Sequence, residues 1–242
     1  MIEIASHGRV TVITLNRPDK RNALNIDLCR QLRGAVTAAA GGDARAIVLT
    51  GAGTSFCSGA DLGEVYTADF LDALYAMLHA VTDAPVPVVA AVNGPAIGAG
   101  TQLAIAADLR VAAPGAVFGV PTAKIGLAAD PWTIRRLALL AGNGTARAIL
   151  LACDQLDADA AWRCGLVQRL GSPEQAIGWA AGMTDLAPLT VAYSKQVLNG
   201  VFEPPLRDTA LTAAFEACWT SADFAEGRLA RAEGRPPVFG GS

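Results

Sequence analysis

The stretch Thr50-Gly51-Ala52-Gly53-Thr54-Ser55-Phe56-Cys57-Ser58-Gly59-Ala60-Asp61-Leu62 and its counterpart Val92-Asn93-Gly94-Pro95-Ala96-Ile97-Gly98-Ala99-Gly100-Thr101-Gln102-Leu103 decide how this chain reads. Each follows a β-branched run of the kind that forms a strand, and each turns through glycines into a helix-like stretch. Such a junction exposes backbone N–H groups at a helix start, where negative charge is favoured. That geometry suits the holding of a developing oxyanion.

Outward from these junctions, strand signals recur at residues 10–15, 46–50, 86–92, 109–112 and 166–170. Helical patterns lie between them, the first over 25–40, with Asn25 as its N-cap and Gly41-Gly42 as its stop. Strands alternating with helices predict a largely parallel α/β core. From Ala123 onward the pattern is mostly helical, over 154–165 and 173–186 and then, past Pro188, over 189–201, 206–220 and 222–233. The expected division is a core over 1–188 and a helical region over 189–242. The latter has roughly fifty residues, too few for a core of its own, so its apolar stripes call for a neighbouring subunit.

Composition narrows the function. The chain has 242 residues, 52% hydrophobic and 17% charged, with a net charge of −3. No basic stripe is present, which argues against nucleic acid as a partner. The sequence shows neither a charged leader followed by an apolar stretch nor an apolar run long enough to span a bilayer, so a cytoplasmic protein is expected. The five cysteines, Cys29, Cys57, Cys153, Cys164 and Cys218, are scattered and never spaced C-x-x-C. Neither a disulfide framework nor a zinc site fits that pattern, and no ligand cluster suggests a metal or prosthetic group. Cys57 reads as a small buried hydrophobe. The two histidines, His7 and His79, have no G-x-S-x-G elbow to serve, which argues against a serine hydrolase.

With both glycine motifs in order, and Phe56, Asp61 and Asn93 in place, the chain resembles the enoyl-CoA hydratase/isomerase (crotonase) family. The likeness runs from Leu15-Asn16-Arg17-Pro18 through Asn22-Ala23-Leu24 to Arg235-Pro236-Pro237-Val238-Phe239. It implies an α/β, ClpP/crotonase-like spiral of β-β-α units and a C-terminal helical trimerisation region, assembled as a trimer or a dimer of trimers. It also implies an oxyanion hole made by the N–H groups of Ala60 and Ala99. The usual residue at the second position is glycine; alanine keeps the N–H but restricts the backbone. Coenzyme A enters as part of a thioester ligand or substrate, with contacts implied at Lys20, Arg21, Ser58, Ala60, Asp61 and Leu62, and with Lys195 reaching its phosphates. Taken alone, Lys20 and Arg21 read as a solvated turn, and Asp61 as the cap of a helix beginning at Leu62.

The resemblance places the family's two catalytic glutamates on Gln102 and Thr122. An amide and a hydroxyl can hydrogen-bond a water, but neither is a proton donor or acceptor of the required strength near neutral pH. Each positioned acid or base typically contributes about 10²–10⁴ in rate, so hydratase activity is expected to be weak or absent while binding survives. Asp130, in Ile125-Gly126-Leu127-Ala128-Ala129-Asp130, resembles an aspartate supplied to the pocket in dienoyl-CoA isomerases. It is a candidate acid or base and also a good N-cap, with Pro131 at the first helical position. Trp132 reads either as a wall of the acyl pocket or as a core packer. The combination looks like a subgroup of actinobacterial crotonase-fold proteins that bind fatty acyl-CoA without processing it and are connected with long-chain lipid synthesis. The implied function is binding of fatty acyl-CoA or enoyl-CoA in lipid metabolism. The alternatives are an active hydratase or isomerase using Asp130, and a scaffold for lipid-synthesis proteins.

Overall fold

The computed structural model describes residues 1–61, 63, 67–201, 216–217 and 219–239. β1 (Ile2–His7) and β2 (Val10–Leu15) form an antiparallel hairpin whose turn uses Gly8 at φ 62°. β3 (Ala46–Gly51), β4 (Val88–Val92), β6 (Leu109–Ala112) and β9 (Arg169–Leu170) follow in parallel, giving the order β1-β2-β3-β4-β6-β9. A second sheet has the order β5-β7-β8, from β5 (Pro95–Ile97), β7 (Val117–Gly119) and β8 (Leu156–Asp157).

Alternation along the strands builds three layers. Ile13, Leu15, Ile47, Leu49, Val88, Ala90 and Val92 face α1 (Ile26–Gly41), α2 (Ala68–Asp83) and α3 (Ala99–Ala106). Val10, Val12, Ala46, Val48, Val89 and Ala91 face the other way and meet Ala176 and Ala180 of α7 (Pro173–Ala181). Burying one valine or leucine fully is worth about 1.5–3 kcal/mol, and a one-residue slip would exchange the two faces, so packing sets the register.

Several elements differ from their expected bounds. β4 starts at Val88 because Pro87 has no N–H; its carbonyl still accepts from Ile47 N at 2.9 Å. The helix expected over 154–165 shortens to α6 (Ala158–Arg163), since Leu156 and Asp157 pair with β7 and Asp157 caps the helix by accepting from Ala160 N. Near the C-terminus, α8 (Pro188–Gly200) and α9 (Ala222–Glu233) pack against the body of the chain. A Cβ at Gly227 of α9 would lie 2.4 Å from Ile125 O, so only glycine permits that approach. The helix expected over 206–220 lies mostly outside the described residues. α4 (Pro131–Ala141) and α5 (Asn143–Leu151) pack together beside α3. Among the described residues, no helix is long and apolar enough to cross a membrane.

Candidate functional site

Two backbone arms are stitched together over the ends of β3 and β4. Gly51 N donates to Asn93 Oδ1, and Asn93 Nδ2 donates to Gly53 O. From the other side, the buried Asn22 donates to Ala52 O and Ser55 O. Further along, Cys57 N donates to Pro95 O at 3.1 Å and Ile97 N donates to Cys57 O at 3.0 Å. A Cβ at Gly94 would stand 2.1 Å from Thr54 O, and one at Gly100 would stand 2.1 Å from Cys57 O. The glycines are therefore required by backbone approach, which no side chain can accommodate.

Past this seam, Gly59 (φ 111°) and Gly98 (φ 55°) turn the two arms into one cavity of about 590 Å³, which Ala60 and Ala99 both line. Ala99 opens α3, so its N–H has no intrahelical acceptor. Neither the Ala60 nor the Ala99 N–H donates to a backbone carbonyl outside a helix or strand among the described residues. At the opposite end of α3, Arg136 donates to Ile105 O and Ala106 O, and Arg110 donates to Ala104 O and Ala107 O. Two cations thus complement the negative end of the helix, while its positive end faces the cavity.

Lys20, Arg21, Ser58 and Asp61 line the cavity, as do Gln102 and Thr122, with an apolar side from Phe70, Leu71 and Leu74 of α2. Tyr75, Lys124, Trp219 and Arg231 also line it, and sequence reasoning did not single them out. No local motif marks them; the fold gathers them from α2, the turn after β7 and the C-terminal segment. The carboxylates among the described lining residues are Asp19 and Asp61. Asp61 lies 3.2 Å from Arg17 Nη2 and accepts from Gly63 N. It does not cap α2, which begins at Ala68 under a cap from Thr67.

Asp130 is buried behind the cavity wall and is not among its lining residues. Its Oδ2 caps α4, accepting from Trp132 N at 3.1 Å and Thr133 N at 3.2 Å. Its Oδ1 accepts from Gln102 Nε2 at 3.2 Å and from the Thr133 hydroxyl. Burial first, and then the nearby Asp130 carboxylate, push the pKa of the Tyr75 hydroxyl far above the usual tyrosine range. Cys57 is fully buried, and desolvation pushes its thiol up to about 12, so it is inert at neutral pH.

Residues 5–242 match the family described as enoyl-CoA hydratase/isomerase. The chain belongs to that family. Proteins called probable enoyl-CoA hydratase echA6 from Mycobacterium leprae and Mycobacterium bovis are 49% and 48% identical to it, with 100% of each chain covered. A crystal structure of an enoyl-CoA hydratase/isomerase from Pseudoalteromonas atlantica superimposes with a TM-score of 0.89 at 30% identity, covering 99% of both chains. Methylmalonyl-CoA decarboxylase in complex with 2-nitronate-propionyl-CoA gives a TM-score of 0.91 at 23% identity, covering 100% of this chain and 98% of that one, a likeness of fold alone. The crotonase fold expected from the sequence is the fold observed.

Two of the expected site residues, Lys195 and Trp132, are not among the residues that line the cavity, and a third is outside the described residues. Lys195 is buried in α8, its Nζ 2.8 Å from Asp108 Oδ2 and donating to Val81 O and Val86 O. Desolvation lowers its pKa against the pull of Asp108. Lys195 is not among the residues that line the cavity of Ala60 and Ala99. Trp132 packs against the core, with the Arg136 guanidinium 5.3 Å from its ring centroid, and borders a separate groove between α2 and α8. It is not a wall of the cavity that holds Ala60 and Ala99. Leu62 falls outside the described residues.

Proposed function

We propose that this chain binds fatty acyl-CoA thioesters in lipid metabolism and hydrates enoyl-CoA feebly or not at all. The thioester oxygen sits between the N–H groups of Ala60 and Ala99. The acyl chain runs along Phe70, Leu71 and Leu74, and the nucleotide portion meets the cations Lys20, Arg21, Lys124 and Arg231 at the rim. A cavity of about 590 Å³ falls within the usual range for small-molecule sites.

One observation supports the reading: Ala60 and Ala99 share a cavity with Gln102 and Thr122, the residues to which the resemblance assigns the family's glutamates. The described carboxylates of the lining are Asp19, on the exposed rim, and Asp61, paired with Arg17. Asp130 has both oxygens engaged by four donors, and it is buried and absent from the described lining. Without two positioned acid–base groups, each worth about 10²–10⁴ in rate, hydration is slow while binding persists.

The same reading includes a cytoplasmic homo-oligomer, a trimer or a dimer of trimers. Leu189, Tyr193 and Val197 repeat every fourth residue on α8 and are 84%, 67% and 53% exposed, a stripe opposite the buried Lys195. Light scattering would test that assembly. The binding claim is tested by titrating purified protein with palmitoyl-CoA while following crotonyl-CoA and longer enoyl-CoAs for turnover. Saturable binding without hydration is the expected result. Brisk conversion of crotonyl-CoA would overturn the non-catalytic reading, and absence of acyl-CoA binding would leave the scaffold role.

A further inference from the structure

We propose that Arg17 is a positioning residue for the thioester carbonyl: through two peptide groups, its guanidinium aims and strengthens the Ala60 N–H as an oxygen-binding donor. The inference rests on the acyl-CoA reading above.

The connection is a relay of hydrogen bonds. Arg17 Nη1 donates to Ala23 O at 2.6 Å. The same peptide group carries the Leu24 N–H, which donates to Gly59 O at 2.8 Å. Gly59 O in turn belongs to the peptide group that carries the Ala60 N–H. Among the described residues no peptide bond is cis, and a trans peptide is planar with its N–H opposite its C=O. With Gly59 O held by Leu24, the Ala60 N–H is therefore turned away from Leu24 and left for the cavity that Ala60 lines. Asp61 N donates to Leu24 O at 2.6 Å, so the peptide on the other side of Ala60 is pinned as well.

Aim is one consequence and polarisation is the other. A hydrogen bond accepted by a carbonyl makes the N–H of the same peptide a better donor, by about 10–30% per bond. The first bond of this relay comes from a charged guanidinium, the stronger, charge-assisted kind. Ala60 has no helix directly behind it to do the same, because α2 begins only at Ala68.

Arg17 is fixed at both ends for this task. Its N–H donates to Asn22 Oδ1 at 2.9 Å, and Asn22 N donates to Arg17 O at 2.9 Å. Asn22 is fully buried at φ 57°, a left-handed conformation that asparagine adopts more readily than most residues. At the tip, Nη2 lies 3.2 Å from Asp61 Oδ2, which orients the guanidinium fork so that Nη1 meets Ala23 O. Arg17 is not among the residues that line the cavity, so it acts on a ligand through Ala60.

The test compares decanoyl-CoA with S-decyl-CoA, a thioether that keeps the chain and the nucleotide but has no carbonyl. Calorimetry gives the ratio of the two affinities, which reports what the carbonyl contributes; one net hydrogen bond corresponds to roughly five-fold. In Arg17→Met the ratio should fall about three- to five-fold. The carbonyl stretch of bound decanoyl-CoA, isotope-labelled at the carbonyl carbon, should move back toward its frequency in water. Arg17→Lys, which keeps the charge but lacks the fork, should lie between. A role in folding alone would weaken both ligands alike, and an unchanged ratio and band in either variant would overturn the inference. In Arg17→Met/Asp61→Asn, where the stranded carboxylate is gone, the ratio should stay low; its recovery would assign the effect to Asp61 and overturn the relay. Equal affinities for the two ligands in the wild type would sink the inference while leaving acyl-CoA binding standing. Failure of both ligands to bind would bring down the acyl-CoA reading itself.

Discussion

Lys195 Nζ stands 2.8 Å from Asp108 Oδ2, in a pair that joins α8 to the start of β6 and is only 7% exposed on the lysine side. Asp108 Oδ2 also accepts from Val88 N, so the same carboxylate ties β4 to α8. Removing one member of a buried pair strands the other, although Asp108 retains some solvent and the backbone donor. Lys195→Met should therefore lower stability by about 2–3 kcal/mol in urea unfolding, with the affinity for palmitoyl-CoA little changed. A loss of affinity without a loss of stability would return Lys195 to the ligand site.

Gly100 tests whether the seam between the two arms holds the cradle. A methyl group there would meet Cys57 O at 2.1 Å, with backbone rather than a flexible side chain in the way. Gly100→Ala should cost about 2–3 kcal/mol and weaken palmitoyl-CoA binding at least ten-fold, because the N–H groups of Ala60 and Ala99 no longer share a ligand. Calorimetry on the folded fraction would measure it. An intact affinity would show that the thioester is not held there.

Asp130 should prove structural. Asp130→Ala removes the cap of α4 and leaves the donors of Gln102 and Thr133 without their acceptor, at a cost of about 2–4 kcal/mol. In Asp130→Asn, the slow background hydration of crotonyl-CoA should stay within two-fold of wild type. A drop of a hundred-fold or more would make the carboxylate an acid–base catalyst.

The C-terminal segment should loosen in acid. Hydrogen bonds from Arg235 and Val238 N hold the Glu226 carboxyl at about 2, below its ordinary 4.5. A depressed folded value means the interaction is fully present above about 4.5 and disappears as the pH falls through about 2. Glu226→Gln should raise amide exchange at Val238 at neutral pH and remove its acid dependence. Hydrogen exchange read by mass spectrometry or NMR checks both.

Cys57 should resist alkylation. With its thiol at about 12 and no exposure, labelling by iodoacetamide at pH 8 should proceed only at the rate of global unfolding. Rapid labelling of Cys57 in the native protein would show that the arm opens.

The strands at residues 10–15 and 109–112 and the helix at 222–233 were legible because their periodicity runs for four residues or more and their flanks carry caps or turns. β5, β7 and β8 were not, since two or three residues cannot express a period. The site followed the same divide. Gly59, Ala60, Gly98 and Ala99 belong to local turns that sequence order reveals. Lys195 and Trp132 lie on helices whose rotation relative to the cavity depends on long-range packing, which sequence order does not reveal.

Sequence alone determined the α/β class and the two glycine junctions, both of which are written in runs of adjacent residues. Only the tertiary structure decided what faces the cavity. Gln102, Thr133 and Asp130 come from α3 and the start of α4, and the direction of each hydrogen bond between them exists only once those helices pack. A donor or acceptor has a sense that composition supplies, but which end of it meets a ligand depends on the partner at its back.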